Sequence, residues 1–583
     1  MTSTRSSYLV GKAFRGFLLA SVLTAAASQV GTLVDGIMLS HFINETAMSA
    51  INIASPVMQT LFAICILIGT GGSMLAGVAM GNHKREEASG LFSIVLSVIA
   101  GVGILIGVFG FMFLDSLVAL LCPDPALQPY AAAYLRVIVP ASPVYMVMAV
   151  TQMFVTLDGE PKRVTAAVAV CTLVNLCLDY AFIVWCDWGM TGAAFATVLS
   201  YVAALSVMSP HFLKKGSLSF MMPRSLRNLG KIAAMGLPFG IATMLIAVQL
   251  LGNNTVAIRY LGSDGIVTLS ICMYLLQFSM IILTGTLESF QPVAAILKGS
   301  GDNRGVALVL GKAYSFLAVG LSALALILIL FPGWIVSFFG IVEPGSVAMI
   351  HLALPAFAAN IILQCVVYVL IPVYQIYGHK SLALVISLGQ PLLPMVFFWL
   401  FSALSVSGRE WLNPWWGFAC GQMCVVLILL PFALTRKGEH MPFLLIPSEN
   451  PEMMLDVSLH PSLEDQMEVL VEAEDWLKLR GVSHELRNKI VLACEESLGN
   501  VIRHALAGKR RSMIDMRIVK SGSGYSVLVR DEGAPFNPIE QDPGTGIGLL
   551  LMKKTCDDMN YEYLFGQNLL TMKWQSDASE GER

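Results

Sequence analysis

The sequence predicts an α-helical polytopic membrane protein of twelve spans in two six-helix lobes, followed by a C-terminal α+β sandwich in water. Three observations carry this. The 583 residues are 56% hydrophobic and 13% charged, too apolar for an ordinary soluble enzyme. The charges are unevenly placed: residues 1–440 hold 21 Lys+Arg and 16 Asp+Glu, whereas residues 441–583 hold 15 and 23. Finally, the two halves of the apolar part resemble each other. "AMGNHKREEASGLFSIVL" at 79–96 answers "LKGSGDNRGVALVLGKAY" at 297–314, and "LDGEPKR" at 157–163 answers "IYGHKSL" at 376–382. An internal repeat of this kind is the pattern of a two-lobed transporter.

A bilayer span needs about 20 mostly apolar residues. Such stretches lie near 14–39, 48–70, 91–114, 131–157, 164–186, 190–210, 232–260, 266–296, 313–332, 348–374, 381–405 and 413–434. Pro140, Pro143, Pro238, Pro292, Pro372, Pro391 and Pro394 fall inside them, where neighbouring helices satisfy the freed carbonyls. With the N-terminus inside, eighteen Lys and Arg fall in inside loops, against Arg136, Arg259 and Arg409 outside or embedded. Both termini are then expected in the cytoplasm. The expected domains are a first lobe at 1–211, a basic inter-lobe loop at 212–231, a second lobe at 232–436, a linker at 437–452, the aqueous domain at 453–576 and a tail at 577–583. The first apolar segment, preceded by Arg5, Lys12 and Arg15, reads as an uncleaved span. The 11 scattered cysteines form no zinc-like pair and read as buried thiols.

Charges inside a span are expensive, so each is by default a functional hypothesis. Asp35 sits mid-span in "GTLVDGIML". Asp179 follows Asn175 by four residues, so both share one helix face. Thr197 lies on the next span. Two carboxylates, an amide and a hydroxyl form a hard-oxygen set able to hold Na⁺ or a proton. In the second lobe Glu288, in "GTLESFQP", is a candidate second cation site or an anionic contact for cationic compounds, beside a packing role near Pro292.

The membrane part resembles the MATE (multidrug and toxic-compound extrusion) family over about 14–435. The resemblance rests on "LVDGIMLSHF", "GTGGSMLAGVAMGNHKREEA", "NLCLDYAFI", "GMTGAAFATVLSY" and "SFQPVAAILKGSGD", in this order and spacing. It implies a cation-coupled antiporter in the plasma membrane, expelling organic, drug-like compounds by rocking two lobes. It also implies a cation site at Asp35, Asn175, Asp179 and Thr197, and a prokaryotic source.

In the aqueous domain, helices are expected at 462–480, 483–507 and 547–558, and strands at 453–459, 512–520, 525–530, 561–565 and 569–574. The domain resembles the GHKL (Bergerat-type) ATPases, most closely the anti-sigma-factor serine/threonine kinases. The motifs are "EESLGNVIRHA", "VRDEGAPFNP" and "GTGIGLLLMKK", with a late "LLTMKW". Glu496 and Asn500 stand one above the other on a helix. The resemblance makes Glu496 the base or water-orienting group and Asn500 a Mg²⁺ ligand. Asp531 is placed to accept from the adenine amino group, with Gly533 leaving room for the base. Gly544, Gly546 and Gly548 let backbone N–H groups approach the phosphates at a helix N-terminus. Thr571 is assigned a contact near adenine. ATP and Mg²⁺ are thus the expected cofactors, and H⁺ or Na⁺ the coupling ion. The implied partner is an anti-anti-sigma-like (STAS) or sigma-factor-type protein; no direct nucleic-acid contact is expected. Two alternatives remain open: a membrane receptor-kinase, and a nucleotide-gated transporter with a non-catalytic tail.

Overall fold

The computed structural model describes residues 6–42, 45–121, 128–213, 218–221, 227–406, 412–435, 446–447, 450, 452–507, 511–522, 524–541 and 547–575. It divides into two compact units. One comprises Met1–Gly16, Asp302–Val309 and Pro447–Arg583; the other comprises Phe17–Gly301 and Leu310–Ile446.

The larger unit is all helical, as a chain without water to satisfy its backbone must be; its first helix and its twelfth begin within the smaller unit, at residues 8–16 and 303–309. Its first half contains α1 (Tyr8–Phe42), α2 (Glu45–Cys65), α3 (Gly71–Gly81), α4 (Arg85–Met112), α5 (Leu114–Leu121), α6 (Gln128–Ile138), α7 (Ser142–Leu157), α8 (Pro161–Asp179) and α9 (Gly189–Met208). The second half contains α10 (Leu229–Val256), α11 (Gly262–Gly299), α12 (Asn303–Leu330), α13 (Pro332–Phe338), α14 (Pro344–Tyr368), α15 (Leu370–Ile376), α16 (Lys380–Val406) and α17 (Trp416–Thr435). Short π-helical turns at Ile66–Thr70, Tyr180–Trp185 and Ala257–Leu261 extend α2, α8 and α10.

Among the described residues, nine stretches are long and apolar enough to cross a membrane. One of them, Leu229–Gly299, holds two successive helices, separated at Gly262, whose φ of 69° suits a glycine turn. α6 and α7 form a further candidate, bent by 60°. Pro140 lies at that bend and lacks the N–H that would carry the helix through. The apolar helix Trp416–Leu429 is shorter. A helix thus stands at each of the twelve expected positions.

The halves meet backbone to backbone. α3 packs against α10 and α11. A Cβ on Gly71 would lie 2.7 Å from the Gly236 nitrogen, and one on Gly81 would lie 2.8 Å from the Gly299 Cα. Small residues permit this close approach, which substitutes for a hydrophobic driving force in lipid.

The smaller unit carries β1 (Met454–Leu459), α18 (Leu463–Leu479), α19 (His484–Asn500), β2 (Ile514–Ser521), β3 (Gly524–Asp531), α20 (Ile547–Thr555), β4 (Asp558–Leu564) and β5 (Gln567–Gln575). The strands form one antiparallel sheet in the order β1-β2-β3-β5-β4. Each expected element is present, with boundaries within about three residues, apart from a short π-helical turn (Val501–Ala505) that finishes the second helix. Ser462 and Ser483 cap α18 and α19 by accepting from the amides of Asp465 and Leu486. One sheet face buries Val457, Met516, Ile518, Val527, Val529, Met572 and Trp574 against Val469, Ala473 and Leu477 of α18, Ile490, Cys494 and Leu498 of α19 and Met552 of α20. Side chains alternate between faces along a strand. The other face therefore carries Ser458, Asp515, Arg517, Leu528, Arg530, Leu569 and Thr571.

The glycine contacts generate a test. Gly81→Leu is expected to lower the melting temperature of the detergent-purified chain by several degrees, since overpacking costs about 1–3 kcal/mol. Gly101→Leu, at a site where a Cβ meets nothing within 4 Å, is expected to leave it unchanged.

Candidate functional sites

The first candidate site lies in the larger unit. Thr165 of α8 donates to the Ala20 carbonyl of α1 at 3.0 Å, and its hydroxyl lies 2.9 Å from that of Thr24. Further along, a Cβ on Gly31 would meet the Thr172 hydroxyl at 3.3 Å. The two helices therefore run side by side in the same direction. Position 35 is one turn beyond Gly31, and Asn175 and Asp179 are one and two turns beyond Thr172, so Asn175 stands level with position 35 and Asp179 one turn further on. The Asp35 side chain itself lies outside the described residues.

Asn175 and Asp179 are both buried, 7% and 3% exposed. The Asn175 amide nitrogen has no hydrogen-bond partner among the described residues. A buried amide without a partner is a place where a ligand gains a contact, because leaving it unpaired is expensive. The helix changes to a π-helical turn directly after Asp179, an irregularity frequent at functional sites. Thr197, half-buried on α9, spends its hydroxyl proton on the Ala193 carbonyl at 2.9 Å, which leaves its oxygen to act as an acceptor. Glu288 is on α11, in the second half; its neighbours are Thr284 and Tyr368, which hydrogen-bond each other.

The second candidate site lies in the smaller unit. Glu496 and Asn500 occupy successive turns near the end of α19, and a π-helical turn (Val501–Ala505) follows Asn500 at once. The Glu496 carboxylate rests against the first turn of α20, where a Cβ on Gly548 would collide with it. The Arg503 guanidinium stands 3.9 Å from the same carboxylate and donates to the Gly499 carbonyl at 3.1 Å. Glu495 is exposed and contributes only its carbonyl, to Gln466. His504 is exposed too. Gly544 and Gly546 lie outside the described residues.

At the end of β3, one oxygen of Asp531 accepts from the Gly533 amide at 2.7 Å and from the Asn568 side chain at 2.8 Å. Asn568 is in turn gripped by Tyr561, whose hydroxyl donates to its oxygen at 2.7 Å. Burial pushes the Tyr561 hydroxyl up to about 12, so it stays a donor at neutral pH. These groups fix the Asp531 carboxylate in orientation. Gly533 is required here, since a Cβ would lie 2.5 Å from that of Ala505.

Thr571 needs correction. It stands opposite Leu528, on the sheet face away from Asp531. The residue that joins Asp531 is Asn568, directly across from it in the ladder. The signal for Asn568 was available: it is a polar side chain at an inward position of β5, in phase with Leu570, Met572 and Trp574.

Among the described residues, no three His, Cys, Asp or Glu side chains gather as a metal site. A Mg²⁺ held by Asn500 together with phosphate and water ligands fits this donor set, because Mg²⁺ keeps its waters and binds through few protein groups. Gly548 against the Glu496 carboxylate, and the Asp531 carboxylate oriented by Gly533 and Asn568, likewise suit a nucleotide.

Two family models match parts of the chain. Residues 20–181 match MatE, and residues 460–574 match the histidine kinase-like ATPase domain. The chain thus carries a MatE domain on a MATE transporter fold, with a histidine kinase-like ATPase domain behind it. Among curated proteins it is similar to the multidrug export protein MepA of Staphylococcus haemolyticus (strain JCSC1435), 24% identical over 290 residues, 49% of this chain and 64% of that protein. It is also similar to the probable multidrug resistance protein YoeA of Bacillus subtilis (strain 168), 23% identical over 43% of this chain and 56% of that one. The chain therefore spans less than two thirds of these relatives. Among solved structures, an outward-facing multidrug resistance MATE family transporter of the MOP superfamily superposes with a TM-score of 0.67 at 20% identity, covering 75% of this chain and 98% of that one. A MOP superfamily transporter from Pyrococcus furiosus gives 0.64 at 20% identity, covering 73% and 97%.

The two sides of β5 can be told apart by titration. Asn568→Ala is expected to weaken binding of a fluorescent ATP analogue by roughly tenfold, as loss of a hydrogen bond to a charged group costs about 1.5–3 kcal/mol. Thr571→Val is expected to leave the affinity unchanged.

Proposed function

We propose that the chain is a cation-coupled exporter of organic compounds in the plasma membrane, with a cytoplasmic ATP-binding domain. The observation that carries the transport reading is the buried Asn175–Asp179 pair, with Asn175 level with position 35, inside a MATE-type helical bundle. Carboxylate, amide and hydroxyl oxygens of Asp35, Asp179, Asn175 and Thr197 together suit a proton or a hard cation. Loading H⁺ or Na⁺ there and loading an organic compound elsewhere in the bundle then compete through the positions of the two lobes, taken as 1–211 and 232–436. Glu288 is proposed as an anionic contact for cationic compounds in the second lobe. The positive-inside bias supports cytoplasmic termini, where ATP is present.

In the ATP-binding domain, Asp531, oriented by Gly533 and Asn568, receives the adenine amino group. Backbone amides at the start of α20 take the phosphates, and Asn500 holds the Mg²⁺ that neutralises them. Glu496 then accepts the proton of an incoming serine or threonine hydroxyl of a partner protein, an anti-anti-sigma-like domain being the class the motifs suggest. In this reading the cation gradient, not this domain, is the energy source for export.

Vesicle transport separates the two activities. Asp179→Asn is expected to reduce gradient-driven efflux of a fluorescent organic cation by roughly tenfold, a loss of about 1.4 kcal/mol, with ATP binding intact. Undiminished efflux by a well-folded Asp179→Asn protein would sink the coupling assignment. Asn500→Ala is expected to abolish ATP binding, and retained Mg²⁺-dependent binding would remove Asn500 from the site.

A further inference from the structure

The sheet of the smaller unit has two working faces, and they are one residue apart. Asp531 points to the helix-covered face, where Asn568 and Gly533 hold it. Its neighbours Arg530 and Glu532 point the other way. So does Gln567, next to Asn568. Every one of these outward residues holds a piece of chain from elsewhere in the sequence.

Arg530 and Arg517 converge on Asp302, at 3.4 and 3.0 Å. Asp302 is fully buried and also accepts from the Gly305 amide at 2.6 Å, which makes it the cap of α12. Glu532 pairs with Lys12 and accepts from the Tyr8 hydroxyl at 3.3 Å, both in the first turns of α1. Gln567 donates to the Leu9 carbonyl at 2.7 Å. Ser458 of β1, hydrogen-bonded to Asp515, accepts from the Ser6 amide at 2.8 Å. Burial alone would raise the Glu532 carboxyl, but hydrogen bonds from Lys12, Ser512 and Tyr8 outweigh it and hold it below the usual range. This pairing is thus fully formed at neutral pH and is lost only as pH falls through the depressed value.

These contacts are too specific for chance packing. A buried carboxylate shared by two arginines is favourable only with close geometry, and removing one partner leaves an uncompensated buried charge. The helices so held are α1, which opens the first half, and α12, which begins inside the repeat segment 297–314 of the second.

We infer that this outward sheet face is a coupling surface, through which nucleotide at Asp531 and the positions of the α1 and α12 ends influence each other. This rests on the reading of Asp531 as the adenine contact. A shift of β3 that follows nucleotide entry moves Arg530 and Glu532 with it, because strand neighbours share one backbone. The transporter is then regulated by ATP without being driven by it. Linkage makes the effect reciprocal: disturbing Lys12 or Asp302 changes ATP affinity by the factor with which ATP changes their contacts.

The test uses the full-length chain in detergent and the non-hydrolysable analogue AMP-PNP with Mg²⁺. Amide hydrogen exchange over residues 8–16 and 303–309 is expected to change at least about fivefold on adding the analogue, a coupling within the usual allosteric range. The change is expected to vanish in Asn500→Ala. Lys12→Gln and Asp302→Asn are expected to alter the analogue's apparent Kd by a similar factor, whereas Glu87→Gln is not. If Asp302→Asn fails to fold, Lys12→Gln carries the test, because the Lys12 side chain is half exposed. Analogue binding with no exchange change in either segment, and an unaltered Kd in Lys12→Gln, overturns the coupling but leaves the ATP site standing. No binding by the unmodified chain overturns both.

Discussion

A carboxylate removed from water must gather donors, and in this protein those donors come from distant parts of the sequence. Asp158, with a 1% exposed side chain, takes Arg85 at 2.6 Å, His211 at 2.8 Å and the Leu218 amide at 2.9 Å. It thereby ties the start of α4 and the chain beyond α9 to the end of α7. Asp302 takes two arginines of the sheet and the first turn of α12. Asp531 takes a backbone amide and a side-chain amide from the neighbouring strand. Each buried acid acts as a clamp, since releasing one partner strands a charge in low dielectric.

The same rule gives meaning to Asn175 and Asp179. They are buried, and the Asn175 amide nitrogen lacks a partner among the described residues. That unspent donor, beside a buried acid, is what favours this pair as the proposed cation site. Both candidate sites also share a local device. Asp179 and Asn500 each sit at the last α-helical position before a π-helical turn. Widening the helix there re-aims the side chains that follow.

Much of this was legible in the sequence. Apolar stretches of bilayer length placed the membrane helices, because lipid leaves helix as the available structure for an isolated span. Period-two apolar patterns and Gly481 placed the elements of the ATP-binding domain. Asp35, Asn175, Asp179, Glu496, Asn500 and Asp531 were singled out because each puts polar chemistry where it is costly or spaced on one face. Thr571 was misassigned because a one-dimensional motif does not show which strand lies beside β3. Asn568 gained its role from being opposite Asp531 across the β3–β5 ladder, a pairing of residues 37 apart.

The sequence by itself determined the solvent of each region and the secondary structure, and singled out the residues proposed to bind a cation or a nucleotide. These follow from local rules: hydropathy, periodicity and the chemistry of side chains. Only the tertiary structure decided which groups hold each buried acid, and which face of the sheet each strand residue serves. It also decided that Arg517 and Arg530 meet Asp302 from more than 200 residues away. Such contacts depend on register and packing over long loops, and no local pattern encodes them, because the partner that satisfies a buried charge is chosen by the fold.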